Sequence, residues 1–400
     1  MKQEIELKDI EQFRSKYQEN QSNSKIEQSI KKLGLRKTCL NKDLAAQYKY
    51  DFNIEIPKVK IYNQKKSYQC SIYAFLRVIK SIMQKENPTL DINTLDLSAN
   101  YLDFYDKLEK VNSCYNDLLS QDTITLEEIN NKVNRYIGIY GTFHYCRELV
   151  KKYGLVPDVA MKEASVEYNA FETLELLRAK IKSDATILLN KKDYNKEELK
   201  NYFMKEAYTF LSKTMGNPPL QFKWDKKEMT PLEFRDRYLK DNLEDYVTII
   251  SYDKEVFYNS YAYIPNVYLK DTEEIKTLSI EKMKETVIKQ LQDGIGVWFS
   301  CEESTTLDYD LNLLDDNIYK YKELLNIKEI SKEDKLALDL INYDHAMCII
   351  GAKVDNGEVK QFKVDNSFDE HGKYKGHLIM TNSFFEQDII TMVVNKKYLD

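Results

Sequence analysis

What this chain lacks narrows its chemistry before any motif is found. Its 59 Lys and Arg are outnumbered by 65 Asp and Glu, the net charge is −6, and no basic run stands apart from acidic neighbours. A nucleic-acid binder needs a basic stripe to meet phosphates, so nucleic acid is not expected as a partner. Residues Met1 to Lys8 alternate charges without an apolar stretch, and no hydrophobic run reaches the length of a bilayer span. Neither a secretory signal nor a membrane is therefore expected. The six cysteines, Cys39, Cys70, Cys114, Cys146, Cys301 and Cys348, are scattered, with no C-x-x-C pair and no Cys/His cluster. That spacing argues against a zinc site and a disulfide framework, and reduced thiols in a cytoplasm are the simplest setting. No metal or cofactor is expected. Glycine is scarce (11) and tyrosine abundant (30); with the many Lys, Asn and Ile residues, this is read as genome base composition rather than function.

What remains is a 400-residue chain, long enough for a large two-lobed core or two to three domains. Residues 1 to about 35 read as a polar helix, an N-terminal arm. Helical periods follow from Cys70, from Ser98 to Val111, and from Phe143 to Tyr153, where Gly154 stands in the C-terminal cap position. A long helical block over 169–215 ends at Gly216-Asn217-Pro218-Pro219, which cannot continue a helix. Beyond it, Phe222–Trp224, Val247–Ile250, Tyr261–Tyr268 and Gly296–Ser300 read as short strands, 279–292 as a helix, and 343–366 and 376–395 as the clearest strands. The division expected is a helical arm over 1–57, a helical lobe over 58–215 and a β-rich lobe over 216–400.

The chemistry centres on the stretch from Asn63 to Phe75. A polar loop reaches Cys70, and Ile72, Phe75, Leu76, Ile79 and Met83 then mark one face of a helix. Cys70 thus sits at a helix start, where unpaired N–H groups and the positive end of the dipole favour a thiolate, the nucleophilic form. Gln64 stands six residues earlier, placed to offer its amide to a developing oxyanion.

Four histidines are available to serve as base. His144 lies on an apolar helix and reads as a packing or surface residue. His371 falls in a polar turn and His377 starts a strand. His345 differs, because it opens the apolar run Ala346 to Gly351, where nothing nearby explains a polar side chain. Asn356-Gly357 between two alternating runs is a strong hairpin signal. Counting outward from that turn puts Asn366 opposite Met347, with His345 its diagonal neighbour and within reach. A cysteine, a histidine and an asparagine make a nucleophile, a base and an orienting group. The plainer alternative is that Cys70 is a small buried hydrophobe and His345 a satisfied core histidine; the combined geometry favours the catalytic set.

The motifs resemble the bleomycin hydrolase and aminopeptidase C family, a branch of the papain-like cysteine peptidases. Asn63-Gln64-Lys65 to Cys70 resembles its nucleophile motif. Asp344-His345-Ala346-Met347 is similar to its Thr-His-Ala-Met motif, and Val364 to Phe368 to its Val-Glu-Asn-Ser-Trp motif. Further similar stretches, in order, are Leu149 to Val156, Gly216 to Trp224, Thr230 to Phe234, Val297 to Cys301 and Val393 to Leu399, so the resemblance spans about residues 60 to 399. It implies an α+β, papain-like two-lobed fold, a helical lobe beside an antiparallel β-barrel-like lobe, with large helical insertions between Cys70 and His345. It implies a cytoplasmic peptidase that removes N-terminal residues from peptides, assembled as a homohexamer. Carried over by residue, Cys70 is the nucleophile, His345 the base, Asn366 the orienter and Gln64 the oxyanion donor.

Three departures qualify the resemblance. The family has Gly-Arg before its cysteine and Trp after it, where this chain has Tyr68, Gln69 and Ser71. The Trp that shields the His–Asn pair is Phe368. The family chain also continues past the Lys-Lys-Tyr-Leu motif as an arm whose terminal carboxylate clamps the substrate amine; this sequence stops at Asp400. Two alternatives follow as expectations. Without that clamp the enzyme is an endopeptidase; or the altered loop marks a catalytically impaired homologue acting as an oligomeric or peptide-binding scaffold.

Overall fold

The computed structural model describes residues 4–162, 168–190, 194–260, 274–341, 343–368 and 372–400. The strand expected at Tyr261–Tyr268 and the turn carrying His371 lie outside the described residues. Among those described, no helix is long and apolar enough to cross a membrane.

The N-terminal helix expected as one piece is two, α1 (Leu7–Glu19) and α2 (Gln21–Leu33). Asn20 interrupts them because its side chain accepts the Ser22 N–H and so caps the second. The main helices are α3 (Cys70–Glu86), α4 (Ala99–Leu119), α5 (Phe143–Tyr153), α6 (Ala170–Ala185), α7 (Lys196–Met215) and α8 (Ile280–Gln292). Gly154 closes α5 at φ 82°, the left-handed conformation that its position demands.

Phe222–Trp224, a strand expected from sequence, pairs with Lys227–Met229 as a separate hairpin. The strands of the main sheet are β1 (Ile54–Glu55), β2 (Tyr246–Ile250), β3 (Ile275–Thr277), β4 (Val297–Cys301), β5 (Leu307–Asp308), β6 (Leu313–Leu314), β7 (His345–Asp355), β8 (Glu358–Asp365), β9 (His377–Thr381) and β10 (Ile389–Asn395). They form one ten-stranded sheet in the order β3-β2-β10-β4-β7-β8-β9-β6-β5, with β1 paired to β7. Pairing is antiparallel except near the two ends, where β2–β3 and β6–β9 run parallel. The continuous strand region expected over 376–395 is interrupted by a short helix, Asn382–Gln387, capped by Thr381. The balance of a helical first half and a β-rich second half holds, with β1 the exception.

The β7–β8 hairpin turns at Asn356 and Gly357, both at positive φ (52° and 83°), as a two-residue turn of this kind requires. Two irregularities follow. The register shifts between Val359 and Gln361 and shifts again between Lys363 and Val364, so Asp365 ends opposite Cys348. The second shift undoes the first, which is why simple counting from the turn places Asn366 correctly.

Helix α3 departs from expectation. Its spacing predicts one apolar face, yet every residue from Ser71 to Met83 is buried. The helix is enclosed by α4 and α5 and by strands β4 and β7, so its polar residues need partners inside. The Lys80 ammonium lies 3.2 Å from Asp96 Oδ1. Ser81 Oγ accepts the Gly296 N–H at 3.1 Å. Arg77 Nε donates to Asp365 Oδ2 at 2.7 Å and Arg77 Nη2 to the Pro57 carbonyl at 2.9 Å. The other Asp365 oxygen is 2.6 Å from His377 Nδ1. Burial opposes ionisation of Asp365, but Arg77 and His377 hold its carboxyl below the ordinary value.

This pair joins the first helix of the core to the last strand of the hairpin. Arg77→Met leaves a buried carboxylate uncompensated and is expected to cost about 3–5 kcal/mol. Urea unfolding measures it, and a loss below about 1 kcal/mol excludes the pair as a structural tie. Because the Asp365 pKa is depressed, its contribution is present above the ordinary carboxylate value of about 3.9 and fades as pH falls through the lowered one.

Candidate active site

The loop before α3 is tied down from both sides. The Gln64 N–H donates to the Ser367 carbonyl at 2.8 Å, and the Ser67 N–H returns to the Gln64 carbonyl at 2.9 Å. Gln64 is buried, and its Oε1 accepts no hydrogen bond from the described residues. Tyr68 sits at φ 54°, a left-handed conformation that suits glycine and costs a tyrosine roughly 1 kcal/mol or more. Its ring meets Phe171 edge-on, with centroids 4.3 Å apart. Gln69 is the residue before α3, and its side chain donates to Asp103 Oδ2 at 2.6 Å rather than capping the helix. Lys107 pairs with the other Asp103 oxygen, so a cation one turn along α4 serves that carboxylate and position 69 needs only a neutral donor. Ser71 is held by Trp298, whose Nε1 donates to the Ser71 carbonyl at 3.2 Å. A Cβ on Gly141 would lie 2.7 Å from Ser71 Oγ, so glycine there and a small residue at 71 fit each other.

Cys70 is the first residue of α3 and is half-buried. His345 is the first residue of β7 and is buried. Cys70 and His345 line the same cleft and interact electrostatically. The far nitrogen of the ring, Nε2, is 2.7 Å from Asn366 Oδ1, which also accepts the Ser367 N–H at 2.7 Å. Phe368 lies nearly parallel to the imidazole, 19° between planes and 6.2 Å between centroids. The hairpin therefore brings His345 and Asn366 together, and the packing of α3 sets Cys70 in the same cleft.

Sequence reasoning missed Glu303. Its Oε2 lies 3.5 Å from His345 Nε2, and Tyr309 donates its hydroxyl to Glu303 Oε1 at 3.2 Å. The available signal was register: Cys301 pairs with His345 across β4 and β7, so the acidic residues that follow Cys301 had to emerge beside the ring. Burial disfavours a charged imidazole, yet Glu303 and Cys70, aided by the Asn366 hydrogen bond, raise His345 to about 10. The neighbouring Asp344 carboxyl is pushed up by burial and by Glu302.

These groups open on a cleft of about 650 Å³, bounded also by Tyr68, Phe143, Phe171, Trp298 and Val393. His144 lines the same cleft. It is buried, as packing predicts, with Nε2 2.9 Å from Thr248 Oγ1, and burial with Arg147 nearby lowers it to about 3. His377 serves Asp365, away from the thiol. Among the described residues, no three His, Cys, Asp or Glu side chains are grouped so as to hold a metal ion.

Residues 4–400 match the model of the Peptidase C1-like family. The chain is 29% identical over 424 residues to Aminopeptidase E of Lactobacillus helveticus, covering 100% of this chain and 95% of that protein. It is 27% identical over 422 residues to Aminopeptidase C of Listeria monocytogenes, covering 100% and 94%. The crystal structure of PepW from Lactobacillus rhamnosis superposes with a TM-score of 0.87 at 28% identity, covering 100% of this chain and 94% of that one.

The strain at Tyr68 is measurable. Tyr68→Gly relieves the left-handed conformation but loses the Phe171 contact, itself worth about 0.5–1.5 kcal/mol, so stability should stay within about 1 kcal/mol of the parent. Tyr68→Val keeps the strain and loses the ring, and should cost about 2 kcal/mol. Equal denaturant midpoints for Tyr68→Gly and Tyr68→Val contradict a strained loop.

Proposed function

The chain belongs to the Peptidase C1-like family of cysteine-type peptidases, and from that premise we propose that it is a papain-like aminopeptidase working through Cys70, His345 and Asn366. The observation that carries this reading is the grouping of Cys70 and His345 in one cleft, with His345 Nε2 2.7 Å from Asn366 Oδ1. The names of the relatives support the aminopeptidase subtype.

In this mechanism the Cys70 sulfur attacks the carbonyl carbon of the first peptide bond. The oxyanion that forms is met by the Gln64 amide and by the Cys70 N–H, one of the first-turn donors that a helix leaves unpaired. The imidazolium of His345 gives its proton to the leaving amine, the C–N bond breaks, and a thioester remains on Cys70. His345, now neutral, takes a proton from water as the oxygen attacks the thioester; the C–S bond breaks, the acid is released, and the Cys70 thiolate is left beside the imidazolium. Asn366 fixes the ring angle throughout, its oxygen held in place by the Ser367 N–H.

The finer features of the resemblance belong to the same reading. The fold is two-lobed, with the cleft between a helical and a β-rich lobe, in the domain order expected from sequence. The enzyme is cytoplasmic, which the six free cysteines support. It assembles as a homohexamer, supported by the exposed Ile10, Phe13 and Tyr17 on α1. Light scattering should give six times the 47.3 kDa chain mass; a monomer refutes the assembly.

The activity is tested with matched fluorogenic peptides, one with a free N-terminus and one blocked. Turnover is expected on the free peptide only, to vanish in Cys70→Ala, and to fall about 100-fold or more in Gln64→Ala. Equal rates on both peptides indicate an endopeptidase. No Cys70-dependent turnover on either excludes the enzyme and leaves a binding scaffold.

A further inference from the structure

We infer that Glu303 is a positioning residue for this site, a carboxylate that keeps the His345 ring in its protonated, cationic form beside the Cys70 thiol. The inference rests on the Cys-His-Asn reading above and adds a group that the three-residue set lacks. Glu303 Oε2 is buried and accepts no hydrogen bond from the described residues. The cationic partner within its reach is His345 Nε2, at 3.5 Å. That distance is long for a hydrogen bond but short for a Coulomb contact in a water-poor site. Asn366, at 2.7 Å from the same nitrogen, therefore supplies direction, and Glu303 supplies charge. The Tyr309 hydroxyl, bonded to Glu303 Oε1, fixes the carboxylate so that its second oxygen stays turned to the ring.

The other groups around the ring do not replace this charge. Asn366, at the end of β8, is neutral. Cys301, opposite His345 on β4, is a thiol pushed well up by burial. Asp344, the residue before β7, is raised by burial and by Glu302, and accepts the Glu303 N–H at 3.1 Å. Glu302 accepts the Ser304 N–H at 3.0 Å and faces Asp344. Cys70, from α3, is the partner whose reactivity is at stake. The rise of His345 to about 10, against the effect of its burial, agrees with Glu303 as the deciding neighbour.

The test needs no peptide. Alkylation of Cys70 by iodoacetate, an anion, is accelerated by a neighbouring imidazolium, whereas neutral iodoacetamide is indifferent to it. The ratio of the two rates, followed by mass spectrometry of the Cys70 peptide across pH, reports the charge on His345. In the parent the anion preference should persist to near pH 10. In Glu303→Gln it should be lost about 1–2 pH units lower, and in Tyr309→Phe by a smaller shift in the same direction. Glu303→Asp, which keeps the charge, should fall between parent and Glu303→Gln; if Glu303→Gln does not fold, Glu303→Ala, which also removes the charge, decides the matter. Superimposable profiles for the parent and a folded, charge-removing variant overturn the inference. Absence of peptide turnover with the expected shift would instead overturn only the peptidase reading.

Discussion

The buried pair of Arg77 and Asp365 is the constraint on which the rest of this molecule depends. Taking two charges out of water is costly unless both are fully paired and hydrogen-bonded. Here they are: Asp365 is shared between Arg77 and His377, and Arg77 also reaches the Pro57 carbonyl. An apolar contact between α3 and β8 would tolerate sliding; this one has direction. The two residues after Asp365 carry the consequence. The Asn366 N–H is held by the Gly376 carbonyl, and the Ser367 carbonyl holds the Gln64 N–H. Three consecutive residues thereby lock the strand end to α3, to the next strand and to the loop before Cys70.

That lock explains how an unusual loop is tolerated. Tyr68, Gln69 and Ser71 replace the residues expected from the family resemblance, and each substitution has a local answer. Tyr68 takes up a left-handed conformation and sets its ring against Phe171. Gln69 stays neutral because Lys107 already compensates Asp103. Ser71 leaves room that Gly141 and Trp298 use. Gln69 also starts α3, its carbonyl accepting the Ile72 and Tyr73 N–H groups at 2.9 and 3.0 Å.

Much of the candidate site was legible in the sequence because its determinants are local. The helix start at Cys70 follows from apolar spacing. The closeness of His345 and Asn366 follows from the Asn356–Gly357 turn, although it survives only because two register shifts cancel. Side-chain environment was harder to read. Helix α3 looks amphipathic because Arg77, Lys80 and Ser81 are polar, yet it is enclosed on all sides; partners as distant in sequence as Asp365 and Gly296 satisfy them. Glu303 was missed for a related reason. Its role depends on the pairing of β4 with β7, strands separated by more than forty residues, and neither strand's own pattern announces the other.

The two histidines in the cleft show how far environment outweighs residue type. His144 and His345 are both buried, and burial alone drives an imidazole toward its neutral form. His144 faces a threonine hydroxyl, with Arg147 nearby, and follows that tendency to about 3. His345 faces a carboxylate and a thiol and reverses it, to about 10. One cleft therefore holds a neutral ring among Phe143, Trp298 and Val393 and a cationic ring beside Cys70. In the mechanism proposed above, the bond-breaking proton belongs to the second ring. The difference between the two rings follows from where β4 delivers Glu303, 3.5 Å from His345 Nε2.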